Sequence, residues 1–341
     1  MLSVLICGQG LSGTLLAARL LEEGHQVTIV DPAAPSTSSR VAAGVIHPIT
    51  GRRLTKSWRL DELLPFAIKT YKKQEEFLQT KFYHDIRTLE LFKDVAHRND
   101  WLGRSCDPEF SSYIGEECKP EEIPADIKHE IGGIWITKGG WLDTNAYLDA
   151  WKKVFLQGNI LIQDKIEEEQ ILFSEDKIEW KGQQFNLMVD CRGIHSMWGN
   201  WFSHLPFNPA KGEVVTIRCE ELETKDILHK TVKLIPTSNP KEFICGATFS
   251  WEEFSTNPTE AGRQELEQKI DKLLDLPYTV IKHVAGVRPA TDDRRPFVQQ
   301  HETIKRLFIL NGFGAKGVLL APYFANELCQ VLLRQFSGNR F

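Results

Sequence analysis

No apolar run in the 341 residues approaches the roughly 18 that a membrane-spanning helix requires, so no span is expected. Cysteine is sparse and unpatterned. The seven (Cys7, Cys106, Cys118, Cys191, Cys219, Cys245, Cys329) are odd in number, form no C-x-x-C pair and meet no histidine at zinc spacing. A disulfide scaffold and a zinc module are thereby excluded, and no metal is expected. The start has neither a basic flank nor a small-residue cleavage site, and a reduced, cytoplasmic protein is the expectation. Positive charge is in deficit: the net charge is −5. Neither a membrane surface nor nucleic acid is therefore an expected partner. There are no repeats, no low-complexity tracts, no G-x-S-x-G elbow and no Cys–His nucleophile signature.

What is there begins at once. "LSVLIC" is a short apolar run suited to a buried parallel strand, followed by "GQGLSG", Gly8 to Gly13. Ser12 to Glu23 reads as a helix that Gly24 ends, and "QVTIV" is a second strand closed by Asp31. Strand, G-x-G-x-x-G, helix, strand, acid is the context of a dinucleotide site. Gly8 serves the tight turn, Gly10 admits a pyrophosphate, and Gly13 lets helix and strand pack closely. The helix start, at Leu11 and Ser12, turns its amides and positive end toward phosphate. Asp31, followed by Pro32, can accept hydrogen bonds from ribose hydroxyls. NAD and FAD both satisfy this motif.

Five further stretches separate the two cofactors. "SSRVAAGVIHP" (Ser38 to Pro48), "GGWLDTNAYLDAW" (Gly139 to Trp151), "LMVDCRG" (Leu187 to Gly193), "AGVRPATDDRRPF" (Ala285 to Phe297) and "NGFGAKGVLLAPYFANELCQVLL" (Asn311 to Leu333) occur in this order. In sequence and order they resemble blocks of the D-amino-acid oxidase/glycine oxidase superfamily. The resemblance spans nearly the whole chain. It implies an α/β Rossmann-like FAD domain of the glutathione-reductase-2 type, built discontinuously from residues 1–78, 139–208 and 285–341. A mainly antiparallel β-sheet substrate domain would use 79–138 and 209–284.

Local patterns fill in the elements. A helix is expected near Asp61 to Lys81 with Asp61 as N-cap, and another from Asp143 or Thr144 to Gly158. Residues 82–138 lack a sustained helical period and read as strands and loops. "EVVTIRC", "TVKLIP" and "EFICGATFS" are strand candidates, and "TEAGRQELEQKIDKLLDLP" is an amphipathic helix.

The resemblance also implies a chemistry: oxidation of an amino acid or N-substituted glycine at its C–N bond, with hydride passing to flavin N5 over roughly 3–3.5 Å. Oxygen or another acceptor would then take the electrons. Arg288 matches the family position that grips the substrate carboxylate, a task suited to a planar guanidinium. An internal ion pair with Asp292 or Asp293, or contact with the flavin, are its other possible roles. Ser39 and Arg40 would reach phosphate, while Ala43, Gly44 and Val45 would run along the flavin. The backbone near Ile166 would meet adenine, and Gly193 would lie near the phosphates. Gly312, Gly314, Ala315, Lys316 and Gly317 would face the flavin pyrimidine, with Lys316 adding charge or simply solvated. His47 is either a base or a structural histidine beside Pro48.

The chain departs from its relatives in three places. Ala315 stands where an arginine is common, Lys233 and Leu234 replace a substrate-facing tyrosine, and no cysteine precedes Gly312 for covalent attachment, so FAD is expected to be non-covalent. The segment Arg52, Arg53, Lys56, Arg59 reads as a solvated loop, a channel for an acidic substrate, or an RNA contact. Two rival functions stay open: a 2-hydroxy-acid dehydrogenase, and a flavoprotein acting on modified tRNA or without turnover.

Overall fold

A computed structural model describes residues 1–336 of the chain. The apolar run at the start forms the strand Ser3–Cys7, whose side chains alternate between two cores. Val4 and Ile6 point into one and Leu5 and Cys7 into the other, which is why the run is apolar without alternation. It lies inside a six-stranded sheet in the order Leu161–Ile162, Gln26–Val30, Ser3–Cys7, Leu187–Asp190, Leu307–Asn311, Phe297–Gln300. Every pair is parallel except the last. The helices Leu11–Glu22 and Gly317–Phe336 bury their apolar faces in the same core on one side of this sheet.

The second sheet has eight strands in the order Thr279–Arg288, Ala210–Arg218, Glu242–Gly246, Lys233–Pro236, Ile227–His229, Thr88–Leu91, Gly133–Ile136, Ile114–Cys118. All neighbours are antiparallel except Ile227–His229 with Thr88–Leu91. Its first strand runs unbroken through the junction expected at 284/285 and ends on Arg288. A strand of the larger sheet thus delivers that arginine.

The helix Thr144–Gln157 starts on Asp143, whose carboxylate accepts from the Asn145 and Ala146 amides, and ends at Gly158 as expected. Two readings are corrected. The helix expected to be capped by Asp61 spans Leu60–Leu78, and Arg59 in the left-handed region (φ 50°) occupies the N-cap. Asp61 instead sits in the first turn, bonded to Lys56 and Tyr113. Within 82–138, a helix Val95–Ser105 starts on Asp94, whose carboxylate accepts from the His97 amide. Trp101 is its sole buried residue, so no apolar stripe marks it in the sequence.

Candidate active site

Between the two sheets lies a cavity of about 1330 Å³. That exceeds the range of roughly 300–1,000 Å³ typical of pockets for drug-sized ligands and leaves room for a dinucleotide with a substrate beside it. The glycine turn forms part of its wall, and the turn needs its glycines. Gly8 has φ +106°, and a Cβ there would meet the Cys191 carbonyl oxygen at 2.6 Å. A Cβ on Gly13 would fall 1.9 Å from the Gly8 carbonyl oxygen, so Gly13 serves packing and does not line the cavity. Asp31 is set at the wall by two amides: Gln9 donates to Oδ2 at 2.7 Å and Ala33 to Oδ1 at 2.6 Å. Each oxygen keeps a lone pair free for a ribose hydroxyl. These residues fit the adenosine and pyrophosphate of FAD, and the cradle would not admit larger side chains.

Most of the other expected cofactor residues converge here. Gly10, Leu11, Ser12, Pro32 and Ser39 line the cavity, as do Ala43, Gly44, Val45, Ile166 and Gly193. So do Gly314, Ala315, Lys316 and Gly317, while Gly312, expected among them, does not line it and packs against Thr291 and Phe297. Ser39 accepts from the Leu11 amide at 3.0 Å, tying its segment to the helix start. Arg40 does not line the cavity: its guanidinium donates to Asp149 at 2.7 Å, on the helix Thr144–Gln157. The expectation of a phosphate contact is corrected, since a carboxylate one helix away already compensates its charge.

The sequence reading missed what joins the two later glycine turns. The Asn311 side chain donates to the Gly193 carbonyl at 2.8 Å and to Ser196 Oγ at 2.9 Å, while its own oxygen accepts from the Gly312 amide at 2.8 Å. Asp190, fully buried, holds Arg192 and Ser196 beside it. The only sequence signal was polar residues ending otherwise apolar strands, in "VDCRG" and "LNGFG".

Arg288 lies half-buried in the cavity wall with no carboxylate within 4 Å among the described residues. It donates only to the Lys211 and Thr248 carbonyls, at 3.2 and 3.3 Å, and lies over the Phe249 ring. Asp292 does not reach it, and Asp293 is spent on Thr291 and the Arg295 amide. Burial lowers its pKa to about 10. A desolvated guanidinium bonded to neutral acceptors alone is a site for an anion.

His47 faces the same cavity, and neither ring nitrogen has a hydrogen-bond partner. Burial, with Lys233 nearby, holds its pKa down at about 3, so it is neutral and a poor base. Beyond it stands Glu90, 3.7 Å from His47 Nε2 and 2.5 Å from His229 Nδ1. Burial pushes Glu90 up, but the histidines and Lys233 outweigh it and bring it down to about 2. The three ligand atoms of His47, Glu90 and His229 lie within 4.8 Å of one another. Within this group Glu90 is bonded to His229, while His47 stands beside them without a hydrogen bond. Lys316 is not simply solvated: it is half-buried and donates to Ser57 Oγ at 3.0 Å and Thr50 Oγ1 at 3.2 Å.

The rim is a strap, residues 250–259, pinned to the larger sheet. Ser250 and Lys211 exchange backbone bonds, Lys211 Nζ donates to Glu253 at 2.9 Å and to the Asn257 carbonyl at 2.7 Å, and Glu213 accepts from the Thr259 amide at 2.9 Å. Lys211 is 2% exposed. Phe249 and Phe254 turn into the cavity, and Trp251 stands in solvent. Of the basic segment, Arg52 and Arg53 are exposed, while Lys56 pairs with Asp61 and Arg59 with Glu62. No described helix is long and apolar enough to cross a membrane.

Comparison with known proteins shows the family and the fold. Residues 3–331 match the DAO family, described as FAD dependent oxidoreductase. The chain is 22% identical to the tRNA 5-methylaminomethyl-2-thiouridine biosynthesis bifunctional protein MnmC of Marinobacter nauticus, over 96% of this chain and 55% of that protein. It is 28% identical to glycine oxidase of Bacillus subtilis over 40% of this chain and 38% of that protein. The chain thus spans about half the length of the first and matches a smaller part of the second. The crystal structure of glycine oxidase from Bacillus cereus superposes with a TM-score of 0.83 at 18% identity, covering 98% of this chain and 96% of that one. At that identity the likeness is one of fold.

Proposed function

The chain belongs to the DAO family of FAD-dependent oxidoreductases, and from that premise we propose that it oxidises the C–N bond of an amino acid or an N-substituted glycine. The observation that carries this reading is Arg288: a half-buried guanidinium in the cavity wall, bonded among the described residues only to carbonyls and open to a carboxylate. When bound, FAD supplies a two-electron acceptor for the hydride that leaves the carbon bearing the nitrogen.

The chain's own part is binding and exclusion. Arg288 grips the carboxylate and so fixes the carbon next to it. Phe249 and Phe254 shield the bound substrate from water. Gly8, Gly10, Asp31 and the start of the helix Leu11–Glu22 would hold the nucleotide, and Gly314 to Gly317, with Lys316 beside them, would supply amides and positive charge to the flavin. Loss of a proton from nitrogen and a hydride from carbon leaves an imine, which water cleaves to an oxo acid or aldehyde and an amine. The cations of the substrate side also favour the carboxylate form and an unprotonated amine.

A 2-hydroxy-acid dehydrogenase would require a base for the hydroxyl proton, and His47, held at about 3, is ill suited to that task. A second reading keeps the amine chemistry and changes the carrier to a modified tRNA. The match to the Marinobacter protein along 96% of this chain supports it, with Arg52, Arg53 and Arg104 around one surface hollow as the RNA contact. Anaerobic absorbance titration with D-amino acids, glycine, sarcosine and 2-hydroxy acids separates the readings. Bleaching by amines alone supports the first. Bleaching by hydroxy acids alone overturns it. Salt-sensitive RNA binding that Arg52→Gln and Arg53→Gln abolish supports the second.

A further inference from the structure

The carboxylates lining the cavity are confined to one end, while cations stand at both. The carboxylates in its wall are Asp31, Glu167, Glu168 and Glu169, all on the nucleotide side. The larger sheet contributes two cations instead, Arg288 and Lys233. The register sets Lys233 in one row across the sheet: Glu90 opposite His229, His229 opposite Lys233, Lys233 opposite Gly246, and Gly246 opposite Val214. Among the described residues no carboxylate oxygen lies within 4 Å of the Lys233 ammonium. Glu90, the nearest acid in the row, is already taken by His229 on the adjoining strand. Lys316, by contrast, is satisfied by two hydroxyls.

Gly246 and Val214 carry no polar side chain, so the surface between the two cations is small and apolar. The guanidinium lies over Gly212, two strands across and two residues along from Lys233, a separation in the sheet of about 12 Å, of which an extended lysine covers about half. Resting on the amine-oxidation reading above, we propose that the substrate is a dicarboxylic amine, with one carboxylate on Arg288 and the other on Lys233. A substrate with a single carboxylate would leave the Lys233 ammonium without a direct carboxylate partner, since Glu90, its acidic neighbour, is bonded to His229. Burial lowers the pKa of Lys233 against the opposing pull of Glu90, and a bound carboxylate would raise it again.

The test uses the FAD-loaded enzyme with iminodiacetate and D-aspartate against sarcosine and D-alanine. The diacids are expected to have about tenfold or higher kcat/KM. Lys233→Met is expected to erase that preference by raising KM for the diacids at least tenfold more than for the monoacids, and Lys233→Arg to retain it. Equal efficiency for both classes in the wild type, or an equal loss for both in Lys233→Met, overturns the proposal. Calorimetric titration with succinate and with propionate gives a readout free of turnover. Succinate binding about tenfold tighter, and lost in Lys233→Met, supports the second carboxylate site even if every amine fails as substrate and the oxidation reading falls. Equal binding of the two overturns it.

Discussion

The guanidinium of Arg288 lies directly over Gly212, so closely that a Cβ on that glycine would sit 2.1 Å from Nη2. Strand Ala210–Arg218 and strand Thr279–Arg288 are neighbours, with Ala210 opposite Arg288 and Gly212 opposite Gly286. The arginine therefore folds back across its neighbour's backbone, and the missing side chain is what makes room for it.

Gly212→Ala should displace the guanidinium without disturbing the sheet, since an extended strand accepts alanine. KM for a carboxylate substrate should rise about tenfold or more, with little change in melting temperature. Arg288→Leu should cost about 100-fold in kcat/KM. Steady-state kinetics beside thermal melts check both. An alanine variant with wild-type KM would show that the arginine's position is immaterial.

Asp31→Ala removes the acceptor of two amides as well as the partner of the ribose. FAD affinity should weaken by about 10- to 100-fold, equivalent to about 1.4–2.7 kcal/mol. Fluorescence titration of the apoprotein with FAD measures it. Asp31→Asn should fall between the two, because one side-chain oxygen remains to accept.

The nucleotide half of the site was legible because its chemistry is local. Gly8, Gly10, Gly13 and Asp31 sit on two adjacent strands and the helix between them, and the motif states its own geometry. Arg288 was legible only through the block around it. The row Glu90, His229, Lys233 was not, because sheet register alone brings residue 90 beside 229. Arg40 illustrates the converse failure. Its segment does reach the cofactor wall, but Asp149, distant in sequence, captures the side chain. The helix Val95–Ser105 escaped notice for want of a buried face.

Acid stability carries the imprint of His47. Its pKa is about 3 when folded against 6.5 when free, so between those values the unfolded chain binds a proton that the folded chain does not. Stability should thus fall as pH drops through this window, by up to about 1.4 kcal/mol per pH unit from this group. Glu90, lowered from 4.5 to about 2, adds a loss of the same sign at lower pH. In His47→Gln the decline above pH 4.5 should be shallower, as urea midpoints at pH 7, 6 and 5 would reveal.

Asn311→Leu should destabilise the protein by about 2–4 kcal/mol, because it strands the Gly193 carbonyl and the Gly312 amide in a buried setting. Urea unfolding at fixed free FAD reads the loss. Since the same side chain joins two turns at the cofactor, FAD release should quicken in parallel.

The strap over the cavity has its anchor in a lysine with no route to solvent. Lifting it would pull Lys211 away from Glu253 and Asn257 together, and would strip Glu213 from Thr259 as well. A hinged door is cheap to open, and this one is bolted from inside. Opening the rim therefore means breaking several buried polar contacts at once, and the strap is expected to stay in place while substrate enters and product leaves.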